Sequence, residues 1–331
     1  LEVTGDVEIT DTARVSLAVP DALGSPGALD LTGTGITLAV DADDALGSGA
    51  PTLDLPSTGT LEVNAAQTLT NFEIKREQVK GQDASSANLV VNAPGALTLK
   101  NSGQVIEGSI AGNGRLILGA GTTSIDSEAN TFSGDVKVAD TATLALTRNA
   151  ALGTGDTVVE VLGDLDIKSS DGPITIRTGA LTLVNTGEIN LDGPDVTLEI
   201  GSDDGTSTLS GDVVGDGQLT MTGTTTIDTS IDTFLGSIRV SEDARVTLDA
   251  VNALGAAPDN VDLEIGAGAT IDFNVENAFK AYSEEGWYSD GQTDATNLIP
   301  ADARFNINAT DAVAADGDFT FENADSTLAV N

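Results

Sequence analysis

Apolar and polar residues alternate in short runs along most of this chain. Val136 and Val138, Leu144 and Leu146, Ile238 and Val240, and Val246 and Leu248 are examples. A period of two over short runs predicts strands that turn one side inward. Similar runs at Leu89-Val-Val91, Gly95-Ala-Leu-Thr-Leu99, Ile174-Thr-Ile176, Leu181-Thr-Leu183 and Val196-Thr-Leu-Glu-Ile200 predict more of them. Gly, Asn and Asp separate the runs and supply the corners.

The runs recur in order. Gly112 to Gly153 returns as Gly215 to Gly255, with Phe132 matching Phe234 and Gly134 matching Gly236 at one and the same offset. Gly5 to Gly24 matches Gly134 to Gly153 without a gap, and its Ala22-Leu-Gly24 corner returns at Ala45-Leu-Gly47. A second echo, Gly95 to Gly103 against Gly179 to Gly187, has a shorter offset, so coils between the copies have been inserted or deleted. Such self-similarity predicts a solenoid, whose coils bury their apolar sides only against their neighbours. An array of β-sandwich domains is the alternative. The echoes at about 20 residues are too short for one.

The order of these features resembles the autotransporter-associated, or passenger-associated, β-strand repeat. The residues concerned are Gly112-Asn-Gly114, Leu116, Leu118, Asn130-Thr-Phe-Ser-Gly134, Leu144, Leu146 and Ala151-Leu-Gly153. The second copy keeps Gly215-Asp-Gly217, Leu219, Thr233-Phe234 and Gly236, but has Asp232 and Leu235 where the first has Asn and Ser. The likeness covers roughly residues 1–60 and 105–275. It implies a right-handed parallel β-helix belonging to a large secreted or surface-displayed bacterial protein, and no particular activity.

Two stretches interrupt the pattern. Residues 71–86 alternate poorly and hold Lys75, Arg76 and Lys80, three of only 14 basic residues. A loop or short helix is expected there, either solvated or docking on an acidic neighbour. Residues 273–321 carry eight of the eleven aromatics. Their non-repeat centre, near 276–300, contains Tyr282, Trp287 and Tyr288. It reads as a lateral insertion with local packing, as an end cap, or as a binding surface. Strand alternation returns at Arg304–Ile307, Phe319–Phe321 and Leu328–Val330, which favours the insertion. The expected organisation is an all-β solenoid over 1–272 with an excursion at 71–86, an aromatic-rich insertion over 273–304, and resumed strands over 305–331.

Composition narrows the function. The net charge is −38, from 52 acids against 14 bases. Phosphate binding needs clustered Lys and Arg, so nucleic acid and anionic lipid are not expected partners. The surplus suits a saline medium that screens self-repulsion, or divalent cations that bridge carboxylates. Ca²⁺ is the cation considered, at the acidic corners Asp41, Asp43, Asp44 and Asp203-Asp204. There is no EF-hand loop and no calcium β-roll repeat. The chain has no Cys and no His, which excludes thiol and Ser–His–Asp catalysis. No apolar run is long enough for a membrane-spanning helix. The start at Leu1, without Met or leader, suggests a processed chain or a slice of a longer one.

The expectation is therefore a structural, non-enzymatic β-solenoid outside the bacterial cell or on its surface: a coat, a filament or an adhesin shaft. Its partners are expected to be copies of itself, other surface proteins or surface polysaccharide. The alternative is a β-helix that binds or cleaves polysaccharide through acidic and aromatic groove residues, since two carboxylates suffice for glycoside hydrolysis. With 52 acids, such pairs arise by chance. Glu284, Glu285, Trp287 and Asp290 form the one grouping that stands out.

Overall fold

The computed structural model describes residues 7–9, 14–24, 28–31, 35–47, 52–55, 59–69, 71–74, 87–100, 103–128, 130–153, 157–169, 172–184, 186–201, 206–231, 233–254, 262–281, 297–299, 302–309, 313–315, 319–321 and 327–330. All regular structure among them is β-strand. The strands pair in parallel and stack as the coils of a β-solenoid. The contacts divide the chain into two units, 1–166 and 167–331.

In the first unit the coils between Thr52 and Leu118 have three sides each. Gln104–Ile106, Ser109–Ala111 and Arg115–Leu118 are successive sides of one coil. They stack on Asn71–Ile74, Ala87–Val91 and Ala96–Leu99 of the coil before. Coils differ in length: the one from Ala96 to Arg115, which lies over it, is shorter than the one from Thr37 to Thr60. Inward positions carry Val, Leu and Ile, and the buried-intermediate alternation of Ala142–Leu146 or Ala96–Leu99 follows from that spacing. Parallel pairing puts like on like, so Leu97 lies over Leu116 and Leu99 over Leu118, all buried.

The motif Asn130-Thr-Phe-Ser-Gly134 ends one of these sides. After Gly121–Ile125 no further strand of the described residues joins the sheet that stops at Ser109–Ala111. The motif takes its place, with Thr131 N–H donating to Ile110 O (2.9 Å) and Ser133 N–H to Gly112 O (3.0 Å). Phe132 turns into the interior, 2 % exposed. Gly134 lies so close to the coil below that a Cβ would overlap the carbonyl oxygen of Gly114. Buried Asn130 links three coils. Its Oδ1 accepts from Ile110 N–H (2.6 Å) and its Nδ2 donates to Ala151 O (2.6 Å), with Ser127 O further off at 3.3 Å. The corner Ala150–Gly153 then stacks on the same side. Ala150 and Gly153 have φ of 53° and 92°, so this corner needs a left-handed backbone that glycine adopts without strain.

The second unit repeats the device. Leu235 N–H donates to Gly215 O (2.9 Å) and Phe234 bridges Gly215, ending the side built by Glu188–Asp192 and Asp212–Gly215. A Cβ on Gly236 would overlap Gly217 O. Leu235, which replaces Ser133, is 55 % exposed.

The two interruptions differ from expectation. Asn71–Ile74 is a strand that pairs with Thr52–Leu55, so these four residues belong to the solenoid; Asn71-Phe72-Glu73-Ile74 does alternate polar with apolar, but the run is too short to stand out beside the charged residues that follow it. The aromatic-rich stretch contributes to the solenoid as well. Phe279–Ala281 and Asn297–Ile299 pair with Val313–Ala315 and Phe319–Phe321. Asn277-Ala278 repeats the Asn252-Ala253 corner, with Asn252 N–H donating to Asn277 O (2.9 Å) and Ala253 N–H to Ala278 O (3.0 Å). The coil from Thr270 to Arg304 is a long one, because it includes 282–296. Phe273 and Phe305 are interior and stack on each other, ring centroids 5.9 Å apart.

One buried polar side chain is conspicuous. Gln104 is 4 % exposed, and among the described residues neither its Oε1 nor its Nε2 has a hydrogen-bond partner. Leaving such groups unpaired costs about 1–3 kcal/mol each. Gln104→Leu is expected to raise the urea midpoint, with a gain on the order of 1–2 kcal/mol. Unchanged or lowered stability would mean the amide is satisfied in solution.

Candidate functional site

Outward side chains line up in rows because the coils stack in register. On the early coils of the first unit one row runs along the strand ends. Asn64 Nδ2 donates to Asp41 Oδ1 (2.7 Å) and Asn92 Nδ2 donates to Asn64 Oδ1 (2.9 Å). The second unit has the same row: Asn274 Nδ2 donates to Asp249 Oδ1 (2.6 Å) and Asn308 Nδ2 to Asn274 Oδ1 (2.8 Å). Each is an aspartate followed by two asparagines, every amide donating towards the preceding coil. An amide can both donate and accept, so the chain of bonds propagates.

Asp41, expected as a metal ligand, heads the first row. Its Oδ2 accepts from the Ser16 hydroxyl, while Oδ1 accepts from Asn64. These bonds, Ser16 first, hold its carboxyl below the usual range. Glu62 is also held low, chiefly by hydrogen bonds from the Arg14 guanidinium at 2.5 and 3.1 Å. Asp43 Oδ1 accepts from Ala66 N–H (2.9 Å). Asp44 takes φ 49° and its N–H donates to Ala66 O (2.8 Å). All three residues therefore tie one corner to adjacent coils. Among the described residues no group of three or more acids is placed to hold a metal ion. Asp203 and Asp204 lie outside the described residues, as do Lys75, Arg76, Lys80, Tyr282, Trp287 and Tyr288, and the grouping of Glu284, Glu285 and Asp290 with Trp287.

The low carboxyls predict a pH effect of definite sign. A group whose folded pKa is depressed stabilises fully above its unfolded pKa, near 4, and that stabilisation is lost as pH falls through the folded value. The stability difference between the natural chain and Asp41→Asn is therefore expected to shrink between about pH 6 and pH 3. Urea unfolding at the two pH values measures it. A difference independent of pH would remove Asp41 as a stabilising anion.

A different surface, in the second unit, has the shape of a site. The sheet Ile174–Thr178, Val196–Ile200, Gln218–Met221, Ser237–Val240 and Asp262–Ile265 turns a polar side outward. Register puts Thr175 beside Thr197, and puts Arg177, Glu199, Thr220, Arg239 and Glu264 in one row. Arg177 Nε donates to Glu199 Oε2 (2.8 Å), and Arg239 lies 3.5 Å from Glu264. Thr220, 7 % exposed, lies at the floor. The result is a shallow trough of 310 Å³ whose lining side chains are all polar. Sequence reading missed it because lateral neighbours such as Arg177 and Glu199 are a whole coil apart in the chain. Aligning the outward positions coil by coil is the signal that finds it.

No protein-family model matches this chain, and neither the curated proteins nor the solved structures contain a match to it. What bears on its function is therefore its own geometry. No helix among the described residues is long and apolar enough to cross a membrane.

Proposed function

We propose that this chain is a structural solenoid of a secreted or cell-surface bacterial protein, acting as a coat, filament or adhesin shaft. One observation carries the reading: among the described residues, outward charged and polar side chains bind across to neighbouring coils. Arg14, Arg115, Lys137, Arg148, Lys168, Arg177, Arg239 and Arg245 each approach an acid on another coil. Exposed pairs of this kind contribute about 0–1 kcal/mol each. Their effect is to resist sliding and bending between coils that the backbone ladders already hold. The stretches 75–86 and 282–296 supply specific contacts, with Lys75, Arg76 and Lys80 as charges and Tyr282, Trp287 and Tyr288 as apolar anchors.

Electron microscopy of the purified chain, with millimolar calcium or with chelator, tests this. Ordered sheets or filaments are expected, and Trp287→Ala with Tyr288→Ala should abolish them while the β-rich circular dichroism persists. Single short rods in both conditions would overturn self-assembly and leave a passive shaft. Loss of the fold in the double variant would assign those aromatics to packing. Assembly that needs calcium, and not merely matched monovalent salt, would bring the cation into the contact.

A further inference from the structure

We infer that the polar trough of the second unit binds a neutral, extended polysaccharide strand. This is independent of the reading above, since a chain that forms no assembly can still hold a glycan.

The chemistry of the lining selects the ligand class. Thr175, Thr197, Gln218, Thr222 and Ser241 offer hydroxyl and amide groups, with Arg and Glu between them. No apolar residue lines the trough, so lipid tails and hydrophobic peptides gain little burial there. The two arginines face carboxylates, Arg177 with Glu199 and Arg239 with Glu264. The row therefore has no net charge to offer phosphate, sulfate or uronate, and the field of a chain at −38 repels such anions. A guanidinium fork beside a carboxylate presents both donors and acceptors, the pattern that a pair of adjacent sugar hydroxyls matches.

Size narrows it further. Five strands about 4.8 Å apart make a surface about 24 Å long and about 15 Å wide. That is roughly 350 Å², less than half of the ~800 Å² per partner that a stable protein interface uses. A single extended sugar chain fits it. The rungs repeat at nearly the length of one pyranose in a β-linked chain, so successive sugars can each meet the outward polar side chains of one rung. The side chains are already ordered by their own coil-to-coil bonds, Arg177 on Glu199 at 2.8 Å among them, which lowers the entropic cost of binding.

Calorimetric titration of the full chain tests this, with cellohexaose, laminarihexaose and mannohexaose as neutral probes and a galacturonic acid hexamer as the anionic one. At least one neutral hexasaccharide is expected to bind, equally well at low and high sodium chloride, while the anionic one does not. Thr197→Val removes one hydroxyl with little change of shape and is expected to weaken binding about tenfold. Arg239→Ala, at a side chain 40 % exposed, gives a second reading if the first variant is unstable. Thr208→Val, on the neighbouring sheet, is the control and should bind as the natural chain does. The proposal is overturned if no neutral probe binds at about 10 mM. It is also overturned if the galacturonate hexamer binds better, if Thr197→Val and Arg239→Ala both bind normally, or if the control weakens binding equally.

Discussion

Gly236→Ala and Gly134→Ala are each expected to destabilise their unit by on the order of 3–5 kcal/mol, at the severe end for single substitutions. The added methyl would overlap a carbonyl oxygen of the coil beneath, Gly217 O or Gly114 O, and on another side the ring tip of Phe234 or Phe132. A side chain can rotate away from a new neighbour. A backbone carbonyl held in a parallel ladder cannot, so the coils must separate. Those same coils are locked by Ser237 N–H to Gly217 O (3.0 Å) and Asp135 N–H to Gly114 O (3.1 Å), and separation sacrifices these bonds. Gly119→Ala is the matched control: its nearest neighbour is a Lys100 side-chain carbon at 3.0 Å, which can move. Urea unfolding of the three variants should show two large losses and one small one. Comparable small losses in all three would mean that the coils shift apart easily and that the motif glycines serve something other than close stacking.

Asn130→Ala is the second large effect, expected at about 3 kcal/mol. The side chain is 3 % exposed and bonds Ile110 N–H and Ala151 O at 2.6 Å each. Truncation leaves a buried donor and a buried acceptor unpaired, at about 1–3 kcal/mol each, and opens a small cavity as well. Asn130→Asp separates the two roles. A carboxylate still accepts from Ile110 N–H but faces Ala151 O without a proton to donate, so this variant should recover stability as pH falls and the carboxyl protonates. If Asn130→Ala unfolds at the same urea concentration as the natural chain, the three-coil link is not a stabilising element.

These motif residues show where sequence reasoning succeeds and where it stops. Asn130, Phe132 and Gly134 stand out in the sequence as a recurring motif, and the alternation at Val136/Val138 and Leu144/Leu146 correctly marks buried positions. What the motif does is invisible there, because its partners are Ile110, Gly112 and Gly114, one coil away. Only stacking shows that it replaces a strand and removes one side of the coil. The corner at Asn277-Ala278 went unrecognised for a related reason. It lacks the Leu-Gly that follows Ala in the other corners, and its identity rests on backbone bonds to Asn252-Ala253.

The candidate site divides in the same way. The carboxylates of Asp41 and Asp43 are conspicuous in sequence, yet their partners Ser16, Asn64 and Ala66 lie on other coils. The trough is an extreme case, since each coil contributes only two or three unremarkable polar residues.

By itself the sequence determined the local order of this protein: period-two alternation makes strands with one buried side, Gly, Asn and Asp place the corners, and the self-similarity requires coils that share a core. The tertiary structure alone decided which side each strand joins, where a side is given up, and which polar residues meet. The physical reason is that coil lengths vary, from the short coil between Ala96 and Arg115 to the long one between Thr270 and Arg304. Lateral neighbours are therefore set by backbone ladders closing between coils, and no constant spacing in the chain encodes them.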